Sequence, residues 1–95
     1  MKIDVFEAMS DTYRQRVLQE LHSRGSAELP LVMPEDVASE MEDLDRLSVI
    51  LHHTHLPKLD QLGFIEYDPN SQTVVRGQRF DELRPVLRLV TSSSP

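Results

Sequence analysis

The sequence predicts a mainly α-helical domain with one small β-hairpin, an α+β fold, and residues 53–68 are its most informative stretch. Three leucines at a spacing of three line one face of a helix there: Leu56, Leu59 and Leu62. Gly63 follows, where the end of a helix favours a residue that adopts positive φ. The apolar and aromatic run 64–67 then favours a strand. A helix that stops at glycine and feeds a hairpin is typical of a winged helix-turn-helix domain.

The first 25 residues predict two helices. Residues 3–9 form a short amphipathic helix, and Ser10 or Asp11 can cap the next one by accepting a hydrogen bond from a first-turn N–H. That second helix extends to about Arg24, before Gly25, with Arg14 and Arg16 expected on its solvated side. Its inward face carries Tyr13, Val17, Leu18 and Leu21.

A turn and a third helix are predicted next. Leu31 and Val32 suit a very short strand inside the loop 26–33. Pro34 can open a helix, since proline is well placed at a first helical position. The inward residues of this helix are expected to be Val37, Ala38 and Met41. A short helix, a turn and a longer helix give the helix-turn-helix order.

The longer helix is predicted over residues 44–62. Its buried face carries Leu44, Leu47, Leu51, Leu59 and Leu62. Pro57 leaves two alternatives open: it kinks one long helix, or it lies in the first turn of a new helix capped by Thr54.

A hairpin at 64–76 and a terminal helix complete the predicted fold. Asp68 to Ser71 make a turn, because proline presets φ and the polar side chains bond locally to the backbone. Residues 73–75 form the return strand. Spacing of three and four places Phe80, Leu83, Leu87 and Val90 along one seam of the last helix.

Composition restricts the function classes. The 95 residues suit one domain over 1–91 with a disordered tail at 92–95. Cysteine is absent, which excludes disulfides and thiolate chemistry, and no apolar run approaches the length that spans a bilayer. The three glycines are too scattered for a phosphate loop. We therefore expect a cytoplasmic protein that has no cofactor and is not an enzyme.

The histidines at 52, 53 and 55 form the one cluster with metal-ligand character. His52 and His55 have the i, i+3 spacing of helical metal sites, but no carboxylate stands at a companion spacing. His55 falls on the leucine face, which favours a partly buried, hydrogen-bonded imidazole. No metal site is expected.

The net charge of −6 argues against nucleic acid as a partner, but its distribution softens that objection. Residues 1–42 carry four basic and nine acidic residues, whereas residues 64–95 carry four of each. The acidity is therefore concentrated away from the predicted recognition helix and wing.

A DNA-contacting face is predicted opposite the leucines. Arg46, Val49 and His53 recur there at i, i+3, i+7, and such a mixed line can read the major groove. The cations expected near phosphates are Arg46, Lys58, Arg76 and Arg79. Ordinary solvated positions are the alternative reading of the same residues.

Two apolar strips near the termini predict a homodimer. The seam of the last helix exceeds what one small domain needs to bury at its end, and the first helix offers Val5, Phe6 and Met9. We expect the two strips to pack together across a two-fold axis. The alternative is that the last helix folds back on its own domain.

The order of elements over residues 3–76 resembles the ArsR-like winged helix family. FEAMSDTYRQRVLQEL at 6–21 is similar to the opening helices of that family, and HTHLPKLDQLGFIEYD at 53–68 resembles small haloarchaeal winged-helix proteins of unassigned function. The resemblance implies base contacts at His53 and Thr54. The metal-sensing cysteines of ArsR-like regulators are missing, and a haloarchaeal origin would explain the acidity as adaptation to salt.

Together these features predict a transcriptional regulator that binds double-stranded DNA as a homodimer, through the helix at 44–62 and a wing at 64–76. The alternative is a winged-helix module that binds a protein and never DNA.

Overall fold

Five α-helices and a three-stranded antiparallel sheet build the α+β fold, in a computed structural model that describes residues 3–92. The helices are α1 (Ile3–Met9), α2 (Thr12–Ser23), α3 (Leu44–Ile50), α4 (Leu56–Leu62) and α5 (Arg84–Ser92), and the strands are β1 (Leu31–Val32), β2 (Ile65–Asp68) and β3 (Thr73–Arg76). None of these helices is long and apolar enough to cross a membrane. Of the predicted tail at 92–95, all but Ser92 lies outside the described residues.

The sheet confirms the predicted hairpin and the short strand before it. β3 is central and pairs with β2 from Ile65↔Arg76 to Asp68↔Thr73, and with β1 at Leu31↔Val74. In the turn, Asp68 Oδ1 accepts from the N–H of Asn70 at 2.9 Å, which is the local bonding expected of an Asp-Pro-Asn turn.

One apolar core joins both terminal helices to the sheet. Apolar side chains leave water as they pack there, which is the main favourable contribution to folding. The fully buried members are contributed by almost every element: Val17, Leu18, Leu21, Leu31, Met33, Leu51, Leu56, Leu59, Phe64, Val74, Leu83 and Leu87.

α2 begins as predicted, because Asp11 Oδ1 accepts from the N–H groups of Tyr13 at 2.8 Å and Arg14 at 3.2 Å. The expectation that Arg14 and Arg16 face water is wrong. Both guanidinium groups are partly buried and engaged: that of Arg14 donates to the Ala8 carbonyl and that of Arg16 forms an ion pair with Glu42.

The predicted helix beginning at Pro34 is also wrong, since the chain makes only one turn of 3₁₀-helix at Glu35–Val37. Acidic side chains of residues 34–42 hydrogen-bond to groups outside that range instead of stabilising a helix within it. Asp36 Oδ2 accepts from the N–H of Val32 at 2.6 Å, and Glu42 holds Arg16. Met41, expected to face inward, is 94% exposed.

Residues 44–62 form one continuous helical segment, so Pro57 does not lie in a separate helix capped by Thr54. Asp43 caps its start by accepting from the N–H of Asp45 at 3.0 Å. Between α3 and α4 lies one turn of π-helix, Leu51–His55, in which the N–H of Leu56 bonds to the carbonyl of Leu51. A proline ring clashes with the carbonyl four residues before it, and a widened turn at that place relieves the clash.

Two glycines shape the junction between the long helix and the hairpin. Gly63 ends α4 with φ +88°, the left-handed conformation predicted for it. Gly77, after β3, lies so close to this turn that an added Cβ would be 2.6 Å from the Gly63 carbonyl oxygen and 2.7 Å from the Ile65 nitrogen. Only glycine allows these two backbone segments to approach so closely.

Replacing Gly77 with alanine is expected to lower the free energy of unfolding by about 1–3 kcal/mol, because backbone must move to admit the methyl group. Gly25→Ala is the matched control, since its added Cβ would meet nothing nearer than Glu28 Oε1 at 3.6 Å and its φ is −76°. Urea unfolding followed by circular dichroism measures both. Equal stability of the two variants would contradict the proposed close approach.

Candidate nucleic-acid interface

The helical segment 44–62 has one face that the fold leaves uncovered. Val49 is 58% exposed, and Arg46, His53 and Thr54 are exposed as well. The opposite face packs into the core through Leu47, Leu51 and Leu59, which are 3%, 0% and 0% exposed. The residues predicted to contact bases therefore lie together on the outside of the segment, but Leu44, predicted to be buried, is 44% exposed.

His55 points inward from the π-turn and binds α2. Its Nδ1 lies 3.1 Å from Nη1 of Arg14, its Nε2 lies 3.5 Å from Asp11 Oδ1, and its ring stacks on Tyr13. Arginine has only donors, so Nδ1 must accept and Nε2 must carry the proton of a neutral imidazole. Burial is the main cause that lowers the pKa of His55. The charge of Asp11 raises this pKa, and the charge of Arg14 lowers it. The predicted buried, hydrogen-bonded imidazole is confirmed.

His52, on the same π-turn, binds the hairpin instead of α2. Its Nδ1 lies 2.5 Å from the hydroxyl of Tyr67, and the two rings stack with centroids 5.6 Å apart. Its Nε2 is buried and has no hydrogen-bond partner in the described part of the chain. Burial is the main cause that lowers the pKa of His52. The two histidines thus point to different elements, and the described residues hold no group of three or more potential metal ligands.

Of the four cations predicted near phosphates, only Arg46 has a free side chain. Its guanidinium forms no ion pair with a described residue. The ammonium of Lys58 is paired with Glu7 of α1, because Lys58 lies on the side of α4 that faces that helix. Lys58, predicted near a phosphate, thus has a carboxylate partner within the protein.

The two arginines of the hairpin base, both predicted near phosphates, bind groups of the protein itself. Arg76 donates from Nε to the Leu21 carbonyl at 2.9 Å and from Nη2 to the Arg24 carbonyl, so it caps the C-terminal end of α2. The Arg79 guanidinium pairs with Asp4 and Glu82 and lies 4.7 Å from the Phe64 ring centroid. These hydrogen bonds and ion pairs raise the pKa of Arg79. A phosphate at either guanidinium would compete with these contacts.

The outer face of the hairpin is acidic. Asp60, Glu66 and Asp68 are exposed and line one shallow depression beside β2, and none has an ion-pair partner among residues 3–92. One oxygen of Asp60 accepts from the N–H of Tyr67 at 2.9 Å, which satisfies a donor of this edge strand. The sequence predicts acidity mainly in residues 1–42, and this local concentration beside the hairpin differs from that prediction.

The predicted dimer seam divides into a buried and an exposed part. Phe80, Leu83 and Leu87 are 1%, 0% and 0% exposed inside their own domain, so they cannot form the interface; the last helix folds back. Val5 and Met9 are also buried, whereas Phe6 is 69% and Ile3 81% exposed. A groove of about 320 Å³ between α1 and α5 is lined mainly by apolar residues: Val5, Phe6, Met9, Ser10, Gln15, Val86 and Val90.

Stability is expected to fall as the solution is acidified below pH 6.5. The folded-state pKa values of His22, His52 and His55 are lowered from 6.5, so the unfolded chain takes up protons that the folded chain does not. Their contribution is complete above pH 6.5 and is lost as the pH falls through the range below it. Urea unfolding at a series of pH values measures this loss, which His55→Gln should reduce. His53→Gln removes an exposed imidazole that is a lesser cause than burial of the lowered pKa of His52, so it should change the pH dependence less than His55→Gln; an equal effect of both substitutions would contradict the role of burial.

The comparison with known proteins returns one family. No curated protein and no solved structure matches the chain. Residues 6–75 match the family described as "Domain of unknown function (DUF7344)", and this range runs from α1 through the helical segment 44–62 to the penultimate residue of the hairpin. Because the match includes well over half of the sequence, the chain belongs to the DUF7344 family.

Proposed function

We propose that this domain is a DNA-binding transcriptional regulator of the winged helix-turn-helix type. The observation that carries the proposal is the uncovered face of the segment 44–62, which bears Arg46, Val49, His53 and Thr54 and leads directly into a hairpin. In this reading the helix enters the major groove and the hairpin at 64–76 is the wing.

The exposed side chains have the chemistry that base reading requires. The Val49 side chain can contact a thymine methyl group, while the His53 ring and the Thr54 hydroxyl can bond to base edges. Arg46 is the proposed phosphate contact, because its guanidinium has no partner among residues 3–92. Lys58, Arg76 and Arg79 are left out of this set, because the protein itself occupies them.

The contact between α4 and β2 supports the winged reading, since it places the hairpin beside the helix that precedes it. The 3₁₀ turn Glu35–Val37 takes the place of the first helix of the helix-turn-helix unit. The second helix of that unit is then the whole segment 44–62, positioned by His55 against α2 and by His52 against the hairpin.

A protein-binding module that does not contact DNA is the second candidate, and the acidic hairpin favours it. Three carboxylates beside β2, at Asp60, Glu66 and Asp68, have no ion-pair partner in the described part of the chain, and they repel a phosphate backbone and attract a basic partner. Salt weakens both kinds of binding, DNA binding through counterion release and binding of a basic partner through screening, so the candidates are separated by their partners and by the variants that impair each.

The DNA proposal includes a homodimer built on the exposed part of the terminal helices. Two copies reading adjacent half-sites gain affinity that one small domain cannot reach. The apolar side chains of Ile3 and Phe6, together with the groove between α1 and α5, are the surface proposed to meet its own copy.

Arg46→Gln is expected to weaken binding to every DNA sequence and to reduce the slope of log K against log salt by about 0.9. His53→Ala should instead relax preference at one base position, where a wrong pair costs about 1–3 kcal/mol. Lys58→Gln and Gln61→Ala are the matched controls for lost charge and for a shortened helix side chain. Selection from a random duplex library, at low and at molar salt, followed by fluorescence anisotropy, measures these effects.

Failure of the folded wild-type protein to enrich any sequence at either salt concentration would reject the DNA proposal. Under the protein-binding candidate, Arg46→Gln would have no nucleic-acid phenotype. Neutralising Glu66 and Asp68 together would then weaken capture of a defined basic peptide, which distinguishes the two candidates.

Phe6→Glu is expected to convert a sedimenting dimer to a monomer while the domain stays folded, since a residue that is 69% exposed contributes little to the core. Met41→Glu is the control, because Met41 is equally apolar and 94% exposed but lies in the loop before α3. A wild-type protein that sediments as a monomer at high micromolar concentration would refute the dimer.

A further inference from the structure

Guanidinium groups gather on a second face of the molecule, where the end of α2 meets the start of α5. The Arg84 Cζ lies 5.2 Å from the Phe80 ring centroid, and the Arg76 Cζ lies 5.7 Å from it. Arg84 Nη1 also lies 3.2 Å from Nδ1 of His22. Arg88 follows Arg84 by four residues on α5, so the two side chains share a helix face.

This cluster is positively charged although the protein carries a net charge of −6. Among the described residues the cluster has one carboxylate partner, Asp81, which pairs with Arg84 Nε at 2.7 Å and is itself 85% exposed. Since the side chain of Glu7 in the Lys58 pair is only 38% exposed, water screens the Asp81 pair more strongly and that pair contributes less. Arg88 is exposed and forms no ion pair with any residue in the described range.

The positive charges of this cluster contribute to the lowered pKa of His22. Burial lowers its pKa most, followed by the charges of Arg84, Arg88 and Arg76, with no carboxylate acting in the opposite direction. Because Arg84 can only donate, Nδ1 of His22 accepts, and the proton of the neutral ring is on Nε2. His22 therefore offers one further N–H donor beside two guanidinium groups.

We propose that His22, Arg84 and Arg88 bind a phosphate group of a nucleic-acid backbone. The proposal rests on the DNA-binding function above and adds a contact on α2 and α5, apart from the segment 44–62. Asp81 occupies this place as an internal anion, and a phosphate displaces it from Arg84. A phosphate has more acceptor oxygens than a carboxylate, so it can accept from Arg84 and Arg88 together, and the planar guanidinium fork suits it.

Arg76 has a supporting part in this arrangement. Its guanidinium is bound to the Leu21 and Arg24 carbonyls, which leaves its charge fixed beside His22 without a carboxylate partner. It adds positive potential to the cluster while remaining a cap of α2. The binding variants are therefore made at Arg84 and Arg88, where substitution leaves this cap in place.

The first experiment uses inorganic phosphate as the probe. The ring resonances of His22 are followed by NMR at pH 7.5 and constant ionic strength, a pH about one unit above the usual histidine pKa. We expect a saturable shift in the wild type that is lost in Arg84→Gln and Arg88→Gln. Lys58→Gln, which removes a positive charge from the α1 side of the molecule, should respond like the wild type. Thermal melts establish that all variants are folded.

The second experiment uses a labelled DNA duplex. Each lost phosphate contact should lower the salt slope by about 0.9 and weaken binding about eightfold at roughly 0.1 M salt, for every sequence alike. Arg84→Gln and Arg88→Gln should show this loss relative to Lys58→Gln.

The two experiments separate the possible failures. If both variants match Lys58→Gln in both experiments, the site is rejected. A phosphate response with unchanged DNA binding overturns the backbone assignment and leaves a site for free phosphate only. If neither the wild type nor any variant binds DNA, the proposed DNA-binding function is rejected. A phosphate response that depends on Arg84 and Arg88 would then still support phosphate binding by the cluster.

Discussion

The hydrogen bond between Arg14 and the neutral ring of His55 holds the candidate interface in position. His55 is only 7% exposed, and the Arg14 guanidinium is the donor that satisfies its Nδ1, where an unsatisfied buried acceptor would cost about 1–3 kcal/mol. The same guanidinium donates to the carbonyls of Glu7 and Ala8 at the end of α1. One arginine therefore connects α1, α2 and the π-turn. Because His55 on the buried face is held by Arg14, the exposed face of the segment 44–62 takes a fixed orientation.

The π-turn gives two successive parts of the helix different partners. Within five residues, His55 points to α2 and His52 points to Tyr67 of β2. The segment is thus fixed to the helical body on one side and to the hairpin on the other, with Pro57 accommodated just beyond the widened turn. π-turns are frequent at functional sites, and here the turn contains His53 and Thr54, two of the residues proposed to read DNA.

Intramolecular pairing decides where charge remains available. Lys58, Arg76 and Arg79 are engaged by the protein itself, so the hairpin retains an acidic outer face. Arg46 keeps a free guanidinium on the helix, and Arg84 and Arg88 concentrate positive charge beside His22. The net charge of the sequence therefore does not predict the charge of the interface, because the sign of the charge at each face depends on which cations are already paired.

Elements whose cause is local follow from the sequence alone: the Asp11 cap, the glycine stop at Gly63, the hairpin around its Asp-Pro turn, and the leucine face that buries one side of the long helix. The sequence also indicates which residues of that helix face outward. Other features depend on packing between distant segments: Pro34 opens no α-helix, Leu83 and Leu87 belong to the core, and Arg76 and Arg79 bind carbonyls and carboxylates far along the chain. Periodicity and capping act within a few residues, whereas burial and ion pairing depend on partners up to 75 residues away.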